Sequence, residues 1–308
     1  MTVTTSHSAT GSLMHPHKSN LRGIALMIAA TAVFVVNDTF LKLATDGLPP
    51  FQVLFMRGIA ASIWAVPLVL LTGNGKSIGQ VADKWVVARN SMELFAVLCF
   101  IVALKNMPIA DITALGQIAP MLLLIGVSLV YGERIGVPRM ALIGLGFLGA
   151  VLVAQPSGAG VSPYAILGFG TAAGTALRDI VGRKVAGHIP GPVVALSAIL
   201  VVMLGALACH LLFEQWVVPE TRHLLFLLAS GFFLTIGHLC IFLAYRQGAT
   251  GAVAPFYYMF TVWAMISGLV VFGTFPNALA VGGIALILLG GVAIVLLDER
   301  RRRLSVVA

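Results

Sequence analysis

The feature that most limits what this chain can become is a succession of long apolar runs separated by short polar breaks. Runs of about 20 residues occupy 23–44, 51–72, 86–106, 109–131, 137–155, 163–185, 191–213, 223–246, 250–273 and 277–297. At about 1.5 Å per residue each is long enough to cross a bilayer as a helix. The breaks carry turn chemistry: Gly47-Leu48-Pro49-Pro50, Gly73-Asn74-Gly75, Pro156-Ser157-Gly158, Pro190-Gly191-Pro192 and Pro276-Asn277. Backbone N–H and C=O groups in hydrocarbon must bond within the chain, so a helical bundle is the structure these runs predict. The 308 residues are 59% hydrophobic and 10% charged, with a mean hydropathy of +1.01. Soluble domains carry roughly 25% charged residues. The expected class is an all-α integral membrane protein in the lipid bilayer, with ten transmembrane helices.

The positions of the charges supply an orientation. With the N-terminus inside, Lys and Arg concentrate in the cytoplasmic connections, from Lys18 and Arg22 to the run Arg300–Arg303, whereas the outer side holds Lys105 and Arg222. Both termini are then cytoplasmic in a multi-pass protein of the bacterial inner membrane. Residues 1–20 are expected to be a disordered cytoplasmic tail and 298–308 a basic cytoplasmic tail. The net charge of +8 sits in short loops between apolar runs, which argues against nucleic acid as a partner. Cys99, Cys209 and Cys240 are odd in number and lie in apolar segments, so no disulfide framework is expected. No metal-ligand spacing and no cofactor-binding motif stands out. Gly144-Leu145-Gly146-Phe147-Leu148-Gly149 matches GxGxxG, but no strand precedes it. Here the small residues let helices approach, as do those of Gly170–Gly174.

The chain also matches itself. A shift of 141 residues, without a gap, places Asp38 on Asp179, Lys42 on Arg183, Pro49 on Pro190, Cys99 on Cys240, Gly132 on Gly273 and Gly149 on Gly290. Span boundaries superpose too, 23–44 on 163–185 and 137–155 on 277–297. Five spans per half give the halves opposite topology. Inverted repeats suit transporters, because two related conformations open one central site to either side. The expected domains are a first repeat at 23–155 and a second at 163–297.

Residues Ala103–Gly136, ALKNMPIADITALGQIAPMLLLIGVSLVYGERIG, resemble the end of the EamA repeat of the drug/metabolite transporter superfamily: an Ala before a short Pro-containing turn, a Pro within the fourth helix, and Gly-Glu-Arg at its inner end. Ala244–Gly273 is similar to a second copy, departing from the pattern where Thr274 stands for Glu133 and Thr261 for Pro120. The resemblance covers about residues 23–297. It implies two inverted five-helix EamA repeats and alternating-access transport of a small metabolite by a monomer or homodimer, not an enzyme. The first two spans and the segment LKNMPIADITALGQIAP are most similar to proteobacterial riboflavin importers, which implies riboflavin uptake. S-adenosylmethionine importers and amino-acid exporters share the general pattern.

Charged and polar residues inside spans face the bundle interior or a water-filled path, which makes them the candidates for a substrate path or gate. Asp38 lies about 9 Å below the outer end of its helix, with Arg57 about as deep on the next. Lys42 stands at i,i+4 to Asp38, acid first, the favourable order. Structurally, Asp38 neutralises Arg57 while Lys42 snorkels to the interface; functionally, the three wall an outer gate. Arg178, Asp179 and Arg183 are the inner counterpart; alternatively, Arg178 and Arg183 are simple positive-inside anchors. Glu93 pairs with Arg89 or another basic group, or carries a coupled proton. His238 is a hydrogen-bonded core residue or a proton relay. Pro120 breaks helical bonding beside Gln117 and exposes backbone at mid-depth. Phe256, Tyr257, Tyr258, Phe260 and Trp263 offer faces on which a flat ring stacks, or pack against neighbouring helices. Glu133 and Arg134 are expected to make local ion pairs.

Overall fold

The computed structural model describes residues 16–132, 136–154, 162–248 and 253–307. The expectations for Glu133 and Arg134, and for residues 1–15 of the tail, lie outside them. The described residues form eleven α-helices and no strand: α1 (Pro16–Ala44), α2 (Pro50–Leu71), α3 (Lys84–Asn106), α4 (Ile109–Gly116), α5 (Ala119–Tyr131), α6 (Val137–Ala154), α7 (Pro163–Gly182), α8 (Gly191–Phe213), α9 (Thr221–Gln247), α10 (Met259–Phe272) and α11 (Ala278–Val307). Two 3-10 segments, Gly75–Ala82 and Ala254–Tyr258, precede α3 and α10.

Eight helical stretches are long and apolar enough to cross a membrane. Of the other two expected spans, α6 has a shorter apolar stretch, Met140–Val153, and α7 places Arg178 and Asp179 in its last two turns. Three expectations change. The helix expected over 109–131 divides at Gln117–Ile118, because Pro120 has no N–H to continue the ladder. Tight bonds from Gln117 N to Ala114 O (3.1 Å) and Ile118 N to Leu115 O (3.2 Å) close α4 instead. The helix expected from 250 opens as a 3-10 turn at Ala254 and becomes α-helical at Met259. At the ends, α1 is already helical at Pro16, inside the expected tail, and α11 continues through the Arg-rich run to Val307.

Local chemistry sets the helix ends. Asp83 caps α3, its Oδ1 accepting from the backbone of Trp85 (2.9 Å) and Val86 (3.2 Å). Pro49 and Pro190 precede α2 and α8 with nearly the same backbone angles, φ −64° and ψ 143° against φ −66° and ψ 139°. Gly132 and Gly273 end α5 and α10 at φ 69° and 61°, a left-handed conformation that glycine adopts without a Cβ penalty.

The helices pack as α1 on α9, α3 on α7, α6 on α11 and α2 on α8, with α2 also on α9 and α3 on α8; α1 touches α10, α5 touches α7, and α4 lies against α7 and α10. Glycines permit the closest crossings. A Cβ on Gly149 of α6 would lie 2.5 Å from the Gly283 carbonyl oxygen of α11, and one on Gly174 of α7 would lie 2.9 Å from Ala96 Cβ of α3. A buried cluster including Leu41, Leu54, Ile101, Leu104, Ile109 and Ala264 ties α1, α2, α3, α4 and α10 together.

Two outcomes follow. Gly149→Val forces α6 from α11 and lowers stability by about 1–3 kcal/mol, whereas Gly144→Ala, whose Cβ meets nothing within 4 Å, does not destabilise; thermal unfolding in detergent separates them. Asp83→Ala removes the α3 cap and costs about 0.5–2 kcal/mol in the same assay.

Candidate functional site

Two helix crossings are joined by polar side chains. In the first, α1 meets α9. Ser230 Oγ donates to Asn37 Oδ1 (2.7 Å), and Asn37 Nδ2 donates to Asp38 Oδ1 (2.8 Å). All three residues are buried, Ser230 completely. At the next residue of α1, the Thr39 and Ser267 hydroxyls are 2.6 Å apart, joining α1 to α10. Each bond satisfies a group that would otherwise be stranded in an apolar bundle.

In the second crossing, α7 meets α3 through ions. Arg178 Nη1 contacts Glu93 Oε2 at 2.9 Å, Arg178 Nε contacts Asp179 Oδ1 at 2.8 Å, and Arg89 Nη2 lies 3.5 Å from the same Glu93 oxygen. Glu93 is therefore paired twice, as its depth requires. Around this network stand His238, within electrostatic reach of Glu93, Arg89 and Arg178, and Tyr257, within reach of Arg178, Asp179 and Glu93. The His238 ring bonds its own helix at Leu234 O (2.8 Å, through Nδ1) and stands edge-on to Phe34 at 5.1 Å. Phe34 stacks on Phe260 at 6.2 Å, and Tyr257 tilts against Phe260 at 6.2 Å. Residues of α1, α3, α7, α9 and the broken segment before α10 thus meet around one polar and aromatic region.

Several expected partnerships do not form. Asp38 makes no ion pair with Lys42 or Arg57. Lys42 does not snorkel outward; its Nζ donates to the carbonyls of Leu104 and of Met107 (2.7 Å), beyond the last helical bonds of α3, and lies 5.6 Å from the Phe272 ring centre. A cation at a helix C-terminus neutralises its unsatisfied carbonyls, and those carbonyls outcompete a carboxylate across the helix surface. Arg57 is 9% exposed and faces Asp38 and Glu93 without an ion pair to either. Tyr258 turns away from the polar region, because its ring fills the space that Gly291 leaves on α11. The aromatic group around α10 is accordingly not one stack: Phe256 and Tyr257 pack beside Met27 and Ala244, while Phe260 and Trp263 join the cluster around Leu54. Arg183 caps α7 and is exposed.

Gln117, the cap of α4, is buried beside the break before Pro120, which occupies the first turn of α5. Its Oε1 has no hydrogen-bond partner among the described residues, nor do Thr113 Oγ1, Thr261 Oγ1 and Trp263 Nε1 on the contacting elements α4 and α10.

Sequence reasoning missed Asn37, Ser230, Thr39 and Ser267 as partners across the first crossing. It also missed a latch at the end of the bundle where α1 passes into α2. Glu214 accepts from the backbone of Phe51 and Gln52 (3.0 Å each) and contacts His210 Nδ1 at 2.9 Å, while His223 Nε2 reaches Asp46 O at 2.8 Å. The i,i+4 spacing of His210 and Glu214 was the available signal.

Known proteins are similar to this chain in sequence along most of its length. The pseudopaline exporter CntI of Pseudomonas aeruginosa is 25% identical across 88% of this chain and 95% of its own. The S-adenosylmethionine uptake transporter of Rickettsia prowazekii is 24% identical across 92% and 95%, and the riboflavin transporter of Vibrio cholerae 23% across 92% and 96%. A solved crystal structure, 24% identical, superposes on 90% of this chain and 98% of its own with a TM-score of 0.62, which establishes the shared fold. Residues 21–155 match the model of the EamA-like transporter family, and the chain therefore carries an EamA-family domain.

Proposed function

We propose that this chain is a secondary transporter that moves a small polar metabolite across the bacterial inner membrane by alternating access, with ten spans in two inverted five-span repeats and both termini cytoplasmic. On this reading α4 with α5, and Ala254–Tyr258 with α10, are single interrupted spans. The observation that carries it is the exchange symmetry of the helix contacts. Moving each element 141 residues along turns α1 on α9 into α7 on α3, α2 on α9 into α8 on α3, and α1 on α10 into α7 on α5, while α2 on α8 and α6 on α11 map onto themselves. The interruptions at Gln117–Ile118 and Tyr258–Met259 are also 141 apart. The concentration of Lys and Arg at one end supports the orientation. Discontinuous helices crossing at mid-depth, with polar groups beside the breaks, are a known way of building a carrier's substrate site.

The two crossings are the elements that open alternately, Asn37–Asp38–Ser230 on one side and Glu93–Arg178–Asp179 on the other. The central region of Arg57, His238, Tyr257 and Gln117 lies on the path between them. The relatives export pseudopaline, take up S-adenosylmethionine and transport riboflavin, which supports a metabolite cargo. Riboflavin uptake is the specific reading favoured by the likeness of Leu104–Pro120 to riboflavin importers.

Counterflow in proteoliposomes is the decisive assay. Preloaded unlabelled cargo should drive transient accumulation of labelled cargo, and repeating the assay with an imposed proton gradient separates coupled from facilitated movement. Saturation-free flux without counterflow would remove the carrier reading. Asp38→Asn keeps an oxygen for Asn37 but loses the charge, so exchange falls about tenfold or more while the unfolding temperature barely moves. For riboflavin, expression in an auxotroph lacking its own importer should restore growth on low riboflavin; inserted protein without rescue would exclude that cargo.

A further inference from the structure

Two lysines and a tryptophan meet where α3 begins and α7 ends. Lys84 is the first residue of α3, and Lys184 follows the last turn of α7. Both ammonium groups stand over one indole: Lys184 Nζ is 4.6 Å and Lys84 Nζ 5.8 Å from the centre of the Trp85 ring. The ring draws the two nitrogens to within about 10 Å of each other. Both lysines are exposed, and neither makes an ion pair among the described residues. Asp83 beside them uses Oδ1 to cap the backbone N–H groups of Trp85 and Val86. A cation at the start of a helix opposes the helix dipole, so α3 gains nothing from Lys84. The repeat does not demand the cluster either, since the positions 141 residues away are Leu225, Phe226 and Leu43. Above the lysines an apolar track follows the α3–α7 seam. Val87 and Phe95 on α3 and Leu177 on α7 are exposed. Phe95 marks the seam, because a Cβ on Gly174 of α7 would lie 2.9 Å from its ring. Lys84, Val87 and Phe95 fall at i, i+3 and i+11 on one helix face. The track from Lys84 to Phe95 is about 16 Å long, which matches the hydrocarbon depth of one leaflet, about 15 Å.

We propose that Lys84, Trp85 and Lys184 form a headgroup seat for an anionic phospholipid of the cytoplasmic leaflet, with the phosphate between the two ammonium groups and an acyl chain along Val87, Leu177 and Phe95. Each ammonium donates charge-assisted hydrogen bonds to phosphate oxygens. Tryptophan favours the boundary between headgroups and hydrocarbon, and the anionic leaflet attracts lysines placed there. A zwitterionic headgroup brings its own cation, which two lysines repel, so the seat selects for net negative charge. The bound lipid lies across the inner ends of α3 and α7, the helices that Arg178 and Glu93 join, and resists their separation. The choice of leaflet rests on the orientation proposed above; the chemistry of the seat does not.

The test titrates the full-length chain, stripped of lipid in a neutral detergent, with phosphatidylglycerol, phosphatidylcholine or inorganic phosphate. Native mass spectrometry reads the bound lipid and thermal unfolding reads its effect. Phosphatidylglycerol should bind about tenfold or more tightly than phosphatidylcholine, and the double variant Lys84→Gln/Lys184→Gln should lose that preference. Lys184→Gln alone should reduce it about threefold or more. Lys76→Gln, an equal loss of charge in the exposed segment before α3, should leave it unchanged. All three lysines are exposed, so the variants should unfold as wild type does when no lipid is added. Equal affinity for the two lipids, an equal loss in Lys76→Gln, or the same stabilisation by inorganic phosphate as by phosphatidylglycerol would overturn the proposal. A membrane-impermeant thiol reagent that labels Lys76→Cys on intact cells, above the wild-type level, would overturn the orientation and the choice of leaflet while the seat itself stands. Absence of that labelling together with equal lipid affinities would do the reverse.

Discussion

The contact between Arg178 on α7 and Glu93 on α3 organises most of the charged interior. Charges in a medium of low dielectric constant are tolerable only when paired and hydrogen-bonded, and removing one member strands the other. Arg178 holds Glu93 with one nitrogen and Asp179 with another, and Arg89 approaches the same Glu93 oxygen. His238 and Tyr257 reach toward that group from α9 and the segment before α10. Four elements are thereby referred to one ionic centre. Gly174 against Ala96 gives the close approach that brings the side chains within reach.

The crossing of α1 and α9 is closed by different chemistry. Asn37 stands 141 residues before Arg178, Arg89 stands 141 before Ser230, and the position matching Glu93 is Leu234. Neutral hydrogen bonds therefore close one crossing and ion pairs close the other. On the proposed reading the two sides do not open alike. Water replaces a neutral hydrogen bond with little change in free energy, because protein–water and protein–protein bonds are comparable. The ionic crossing separates only as water or a charged group enters to solvate Arg178 and Glu93.

The helical class was legible because hydrocarbon leaves the backbone no alternative, and the span starts expected at 51 and 191 fall within one residue of the helix starts at Pro50 and Gly191. Side-chain partnerships were legible only in part: the Glu93–Arg89 pair was expected, whereas the partners of Asp38 and Lys42 were not. A charge inside a span announces that it faces protein, but its partner depends on helix rotation and on competitors that spacing does not reveal. Lys42 is the clearest case: a carboxylate four residues away was visible in the sequence, whereas the carbonyls of Leu104 and Met107 became competitors only when α3 ended beside α1. Tyr257 and Tyr258 differ for a related reason. Neighbours on a tight turn point about 120° apart, so one reaches the ionic centre and the other fills the gap at Gly291. The breaks at Gln117 and Tyr258 were half legible. Pro120 marked the first, but the second is made by a 3-10 turn after Pro255, with Thr261 at the position equivalent to Pro120.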